Sequence, residues 1–87
     1  MKIGETRVDT VKYGTYSIHL HPIESKEQCY SIRRLANEIM EDIQCLGVVH
    51  ICRPNKGNEY KWDMFIYGIH DGYKTKTIIK RLNEQIP

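Results

Sequence analysis

The chain has 87 residues and a mass of 10.3 kDa, which is enough for one hydrophobic core and excludes a two-domain enzyme. Thirteen Lys and Arg residues against eleven Asp and Glu residues give a formal net charge of +2, and 40% of the residues are hydrophobic. This composition is typical of a globular domain and excludes a disordered chain, while so small a charge does not by itself indicate nucleic-acid binding. We therefore interpret residues 1–87 as a single domain.

The amino-terminal part of the sequence predicts β-structure. From Tyr16 to Leu20, large apolar residues alternate with Ser17 and His19, which is the period of two that a half-buried strand requires. Ahead of this strand, the segment from Arg7 to Tyr13 is rich in β-forming residues and predicts another strand.

A long helix is predicted to begin after Ser25. Ser25 and Gln28 have the spacing of a capping box, in which each side chain accepts a hydrogen bond from a free backbone N–H of the first turn. The following apolar residues recur at three- and four-residue steps and form one stripe: Ile32, Leu35, Ala36, Ile39, Ile43 and Leu46. We expect Gly47 to end the helix, because glycine readily adopts the left-handed conformation found there.

The second half of the sequence predicts a hairpin and a second helix. Val48 to Arg53 and Lys61 to Ile69 are β-forming runs separated by Pro, Asn and Gly residues that favour a turn. Asp71 is expected to cap a helix that runs to about Gln85, with an apolar stripe of Thr75, Ile78, Ile79, Leu82 and Ile86. The order β(β)αββα predicts an α+β fold, a two-layer sandwich in which a mostly antiparallel sheet of three or four strands has both helices on one face.

One face of the predicted sheet has an unusual composition. Strand residues point alternately to the two faces of a sheet. If the aliphatic residues of the strands face the helices, the residues between them lie on the opposite face: His19, His21, His50, Cys52, Asp63, Phe65 and Tyr67. Solvated faces usually display Lys, Glu and Thr instead. The register of the last strand stays open, because two alternating sets compete for the core side: Trp62, Met64 and Ile66 against Phe65, Tyr67 and Ile69.

Three interpretations of this face follow from its chemistry. In the first, which we favour, the amino-terminal segment, a second copy of the chain or a protein partner covers it, because exposed apolar patches on small domains mark protein contacts. In the second, Phe65 and Tyr67 stack on nucleic-acid bases while basic side chains of the second helix contact phosphates. Such binding is expected to be weak and to be lost as the salt concentration rises. In the third, two strands supply metal ligands: His19, His21, His50 and Cys52. Because such short spacings are common by chance, we predict neither a metal nor a cofactor.

A pair of short motifs resembles that of the HUH single-strand endonucleases. His19-Leu20-His21 on a strand precedes Tyr73-Lys74-Thr75-Lys76 at the start of a helix, in the order of that family's His-hydrophobe-His and Tyr-x-x-Lys motifs. The resemblance covers seven residues. It implies that His19 and His21 hold a divalent ion that polarises the scissile phosphate, and that Tyr73 becomes covalently linked to DNA. We keep this activity as an alternative hypothesis.

The absence of any other catalytic pattern predicts a protein without enzymatic activity. Three cysteines without C-x-x-C spacing, and no signal-peptide or membrane-spanning run, favour the reducing cytoplasm and no membrane contact. The favoured function is binding to a larger protein, as an inhibitor or adaptor of the kind that phages and mobile elements carry, with a homodimer as another use of the same face. The predicted contact residues are His19, His21, His50, Phe65, Tyr67, Tyr73, Lys76 and Lys80.

Overall fold

A computed structural model describes residues 1–6, 15–53 and 61–86. Within these ranges it contains the strands β1 (Lys2–Thr6), β2 (Tyr16–Ile23), β3 (Val48–Cys52) and β4 (Trp62–Ile69) and the helices α1 (Lys26–Asp42) and α2 (Gly72–Gln85). The strands form one antiparallel sheet in the order β1-β2-β4-β3. The predicted α+β sandwich, with its element order, is confirmed.

The core lies between the sheet and the two helices. β2 and β4, the central strands, contribute Ile18, Leu20, Ile23, Met64, Ile66 and Ile69, all fully buried. The helices contribute the residues that pack on them: Cys29, Ile32, Ala36, Ile39 and Met40 from α1, and Ile78 and Leu82 from α2. Since each buried aliphatic side chain contributes about 1.5–3 kcal/mol, this single layer of contacts is the main source of stability. It also fixes both helices on one face of the sheet.

The first strand lies earlier in the chain than its sequence pattern indicates. β1 is Lys2–Thr6, and its Ile3 lies opposite Leu20 of β2. Ile3 is the one large apolar residue in this strand and packs against the edge of the core, which explains why the alternation there is too weak to predict a strand. The segment from Arg7 to Tyr13, for which the sequence predicts a strand, lies outside the described residues.

Both predicted helix caps are present. The Ser25 hydroxyl accepts a hydrogen bond from the Gln28 N–H at 3.1 Å, and the Gln28 side chain accepts one from the Glu24 N–H, one residue earlier than expected. The Asp71 carboxylate accepts a hydrogen bond from the Tyr73 N–H at 2.8 Å. Caps of this kind contribute about 1 kcal/mol each, so the sequence defines where both helices begin.

The end of α1 differs from the prediction. The helix ends at Asp42, and Gln44 rather than Gly47 takes the left-handed conformation, with φ of 53°. The Cys45 N–H donates to the Met40 carbonyl at 2.7 Å and so closes the helix. Leu46, predicted to be a core residue, lies beyond the helix and is 87% exposed.

Gly47 lies in a narrow space and does not cap the helix. A Cβ atom at this position would lie 2.8 Å from the Met40 sulfur and 3.3 Å from the Tyr67 carbonyl oxygen. A larger residue here would therefore require the flexible Met40 side chain to shift and would make a tight contact with the β4 backbone.

A bulge at Gly68 fixes the register of β4. Ile66 lies opposite Ile18 and Ile69 lies opposite Tyr16, so β4 has one more residue than β2 in this stretch. Gly68 has φ of +74°, a conformation that glycine adopts without steric cost. Because of the bulge, Ile66 and Ile69 both point into the core although they are three positions apart.

Candidate functional site

The face of the sheet away from the helices brings together the predicted ring-bearing residues. His19 on β2 lies opposite Phe65 on β4, and Phe65 lies opposite His50 on β3. The next residues along the central strands, Leu20 and Met64, are buried on the helix side. We call the five side chains that share the outer face the ring row: His21, His19, Phe65, Tyr67 and His50.

Four members of the ring row are stacked in parallel. The centroid distances and interplanar angles are 4.2 Å and 17° for His19 with His21, 4.3 Å and 6° for His19 with Phe65, and 5.6 Å and 9° for Phe65 with Tyr67. His50 contacts Tyr67 at 6.2 Å with a tilt of 47°. Aromatic pairs of this kind contribute about 0.5–1.5 kcal/mol beyond the burial of their area, so the row is a stable feature of the sheet.

The closeness of the stacking differs along the row. The His19 ring is in close parallel contact with both His21 and Phe65. Phe65 and Tyr67 are also nearly parallel, but their centroid separation of 5.6 Å means that the two rings are displaced sideways from each other. His19 and Phe65 are both partly exposed.

A carboxylate lies beside the ring row. The His19 Nε2 atom is 3.7 Å from the Asp63 Oδ2 atom, and the two side chains are 26% and 24% exposed. This separation is too long for a hydrogen bond. The nitrogen is itself inaccessible to solvent and has no hydrogen-bond partner in the described part of the chain.

The surroundings of His19 favour its neutral form. Burial lowers the pKa of His19 below its usual value, and the nearby His21 lowers it further, while Asp63 opposes both effects. His19 is therefore predominantly uncharged at pH 7, and its contact with Asp63 is not a full ion pair.

Asp63 forms a compact group with the two histidines of β2. One ligand atom from each of His19, His21 and Asp63 lies within 4.8 Å of the other two. The set of ligands considered from the sequence is different, since the structure brings Asp63 into this group instead of His50 and Cys52. Cys52 lies opposite Asp63 on β3, and burial followed by the charge of Asp63 raises the pKa of its thiol. The alternation of β4 places Asp63 on this face, but it gives no signal that the carboxylate approaches His19.

The predicted contact residues on α2 lie in the other layer of the molecule. α2 packs Ile78 and Leu82 against the inner face of the sheet, whereas Tyr73 is 85% exposed at its start. Lys80 is exposed further along the helix, and Tyr73 and Lys76 line a shallow depression with Glu5, Tyr16 and Gly72. The structure therefore does not join these residues to the ring row.

This separation bears on the endonuclease hypothesis. His19 and His21 lie on the outer face of β2, and Tyr73 lies on the helix that covers the inner face. A phosphate held at the two histidines would have the sheet between it and the Tyr73 hydroxyl.

Two of the four basic residues of α2, which are Lys74, Lys76, Lys80 and Arg81, are engaged within the protein. The Lys74 ammonium donates a hydrogen bond to the Gln44 carbonyl at 2.8 Å, and Arg81 pairs with Asp42 at 2.6 Å. These contacts tie α2 to the end of α1 and reduce the positive charge available to an external partner.

The outer side of α1 carries a cluster that sequence reasoning did not find. Tyr30 is 44% exposed, with the Arg33 guanidinium 4.9 Å and the Lys26 ammonium 5.8 Å from its ring centroid. Cation–π contacts at exposed positions contribute about 0.5–1 kcal/mol, and three- and four-residue spacing from Tyr30 is the signal that could have indicated them.

Comparison of the sequence and structure with known proteins finds no match among protein-family models, curated proteins or solved structures. In the described ranges, neither helix combines the length and the apolar composition needed to cross a bilayer.

Proposed function

We propose that this protein is a non-enzymatic binding protein that recognises a larger protein through the ring row. The observation that carries the proposal is the parallel stack on the outer face of the central strands, in which His19 and Phe65 are partly exposed. Both helices pack on the inner face of the sheet. A half-buried apolar ridge of this kind is the type of surface that a complementary groove of another protein can cover.

The orientation of the rings favours a protein over a nucleic acid. Proteins that bind single strands offer the flat faces of aromatic side chains to the bases. In the ring row, His19 is stacked on two rings and Phe65 is stacked closely on His19, so these faces are already in contact within the protein and less available to a base. The Asp63 carboxylate beside His19 would also repel phosphates.

The dimensions of the molecule are compatible with this use of the sheet. The Cα atoms extend over 33 × 28 × 16 Å, so the molecule is flat and its two broad sides are the largest surfaces that it offers. A specific protein interface takes about 800 Å² from each partner, which one broad side can supply. Phe65 and Tyr67 of the ring row would form the apolar centre of that interface, with His50 and Asp63 at its polar rim.

The biological setting that we propose is an inhibitor or adaptor of the kind that phages and mobile elements carry. A small domain that blocks or bridges a larger protein needs one complementary surface and no catalytic centre. We also infer a cytoplasmic location, which the three free thiols Cys29, Cys45 and Cys52 support.

A matched pair of variants tests the proposal. Phe65→Ala removes the central ring of the stack, and Tyr73→Ala removes an exposed ring from the other layer. The wild type and both variants are immobilised and exposed to an extract of the organism that carries the gene, and the proteins that each one retains are identified by mass spectrometry. Each protein retained by the wild type is then purified, and its affinity for the wild type and for each variant is measured by calorimetric titration in solution. We expect partner binding that Phe65→Ala weakens by at least about tenfold and that Tyr73→Ala leaves unchanged. Equal binding of every partner by all three proteins would contradict the proposal.

A further inference from the structure

We propose that His19, His21 and Asp63 form a binding site for one divalent first-row transition-metal ion. The site is assigned from the positions of three side chains on β2 and β4 and does not depend on the proposed protein partner. It shares His19 and His21 with the endonuclease hypothesis but is assigned from the approach of Asp63, and Tyr73, in the other layer of the molecule, takes no part in it.

The distances fit a single ion. The three ligand atoms lie within 4.8 Å of one another, and one pair, His19 Nε2 and Asp63 Oδ2, is 3.7 Å apart. In a tetrahedral zinc site with metal–ligand bonds of 2.0–2.2 Å, neighbouring ligand atoms are about 3.3–3.6 Å apart. Because a metal ion binds in the plane of an imidazole, His19 and His21 would have to rotate out of their parallel stack to hold it together with Asp63.

The His19 nitrogen is an independent indication of a ligand. His19 Nε2 is inaccessible to solvent and has no hydrogen-bond partner among residues 1–6, 15–53 and 61–86. A buried polar atom left without a partner costs about 1–3 kcal/mol, so such atoms are rare in stable proteins. A cation between this buried nitrogen and the Asp63 carboxylate 3.7 Å away would satisfy both groups.

The donor set indicates which ions would bind. Two imidazoles and one carboxylate suit zinc, cobalt, nickel and ferrous iron, whereas magnesium and calcium prefer sites made entirely of oxygen atoms. Three protein ligands also leave a coordination position for water or for a group of another molecule. Cys52 lies opposite Asp63 on β3, but its sulfur does not belong to the group.

Metal titrations of the tag-free 87-residue chain test the site. Zinc binding is measured by competition with a chromophoric chelator, cobalt binding by the visible absorption of the ion, and magnesium serves as the control ion. The test variants are His21→Gln and Asp63→Asn. The matched controls are His50→Gln, a histidine of the same face outside the group, and Cys52→Ser, which removes the nearest thiol. Circular dichroism establishes that each variant is folded.

We expect one zinc ion per chain, cobalt absorption typical of nitrogen and oxygen ligands, and no response to magnesium. Each test variant should lose at least about tenfold in zinc affinity, and both controls should keep the wild-type affinity. The absence of zinc binding in the wild type would overturn the proposal. Equal affinity in His21→Gln and wild type, or a loss in Cys52→Ser that matches the loss in Asp63→Asn, would also overturn it.

Discussion

His19 and Phe65 lie directly opposite each other on the two central strands, and their rings are stacked with centroids 4.3 Å apart and planes within 6° of parallel. The pair joins the H-x-H motif of β2 to the aromatic residues of β4. The pair thereby links the two proposed features of this face. Phe65 belongs to the ring row, and His19 belongs both to the ring row and to the metal group, which consists of His19, His21 and Asp63.

The first prediction concerns the contribution of the ring row to stability. Phe65→Ala removes a half-buried ring that is stacked on both sides, so we expect the free energy of unfolding to fall by about 1–2 kcal/mol. Tyr73→Ala, at a position that is 85% exposed, should change it by less than about 0.5 kcal/mol. Urea denaturation followed by circular dichroism measures both values. Equal effects of the two substitutions would show that the stack contributes nothing.

The second prediction concerns the bulge in β4. A Cβ at Gly68 would meet no atom within 4 Å, so the cost of Gly68→Ala comes from the backbone, whose φ of +74° disfavours any side chain. We expect a loss of about 1–2 kcal/mol in the free energy of unfolding. Gly4→Ala is the control, because the space there is equally open and φ lies outside the positive range. A stable Gly68→Ala variant would mean that the register of β4 does not depend on the bulge.

The third prediction concerns nucleic acid. Lys74 and Arg81 are engaged with α1, so any affinity for single strands should come from Lys76 and Lys80, be weak, and disappear as salt rises to physiological levels. Fluorescence anisotropy with a labelled oligonucleotide at several salt concentrations measures this. Binding that persists at physiological salt and is lost in Phe65→Ala would favour the ring row as a base-stacking platform instead.

The fourth prediction concerns covalent chemistry. Incubation with single-stranded DNA and manganese should give no slower band on a denaturing gel, because the sheet separates Tyr73 from His19 and His21. Tyr73→Phe should therefore behave as the wild type does. A band that is present in the wild type and absent in Tyr73→Phe would establish the endonuclease activity and contradict a purely binding function.

The fold follows from local signals in the sequence more completely than the site does. The caps at Ser25 and Asp71 and the alternation of β2 depend on residues close together in the chain, and each was predicted. The predicted end of α1 was wrong because Gln44 takes the left-handed conformation, while Gly47 lies in the narrow space beside Met40 and β4. Local spacing cannot distinguish a glycine that ends a helix from one that lies in a tight space between two elements.

In the candidate site, too, the features set by nearby residues could be predicted and those set by contacts between strands could not. Alternation placed His19, His21 and Phe65 on one face, since that needs only the period of a strand. Their stacking order and the approach of Asp63 to His19 depend on the cross-strand register of β2 with β4, which shifts by one residue at Gly68 and again between Leu20 and Ile23. No short-range pattern contains that register, so the metal group could not be assigned before the structure.

The central claim, that the ring row is a protein-binding surface, is tested most directly by site-specific photo-crosslinking in cells that carry the gene. A photo-reactive amino acid is placed at His50, which is exposed at one end of the ring row, and in a separate variant at Tyr73 in the other layer. We expect illumination to give one discrete adduct with a different and larger protein from position 50 and none from position 73. An adduct from position 73 alone, an adduct only with a second copy of the chain, or no adduct from position 50 would contradict the claim.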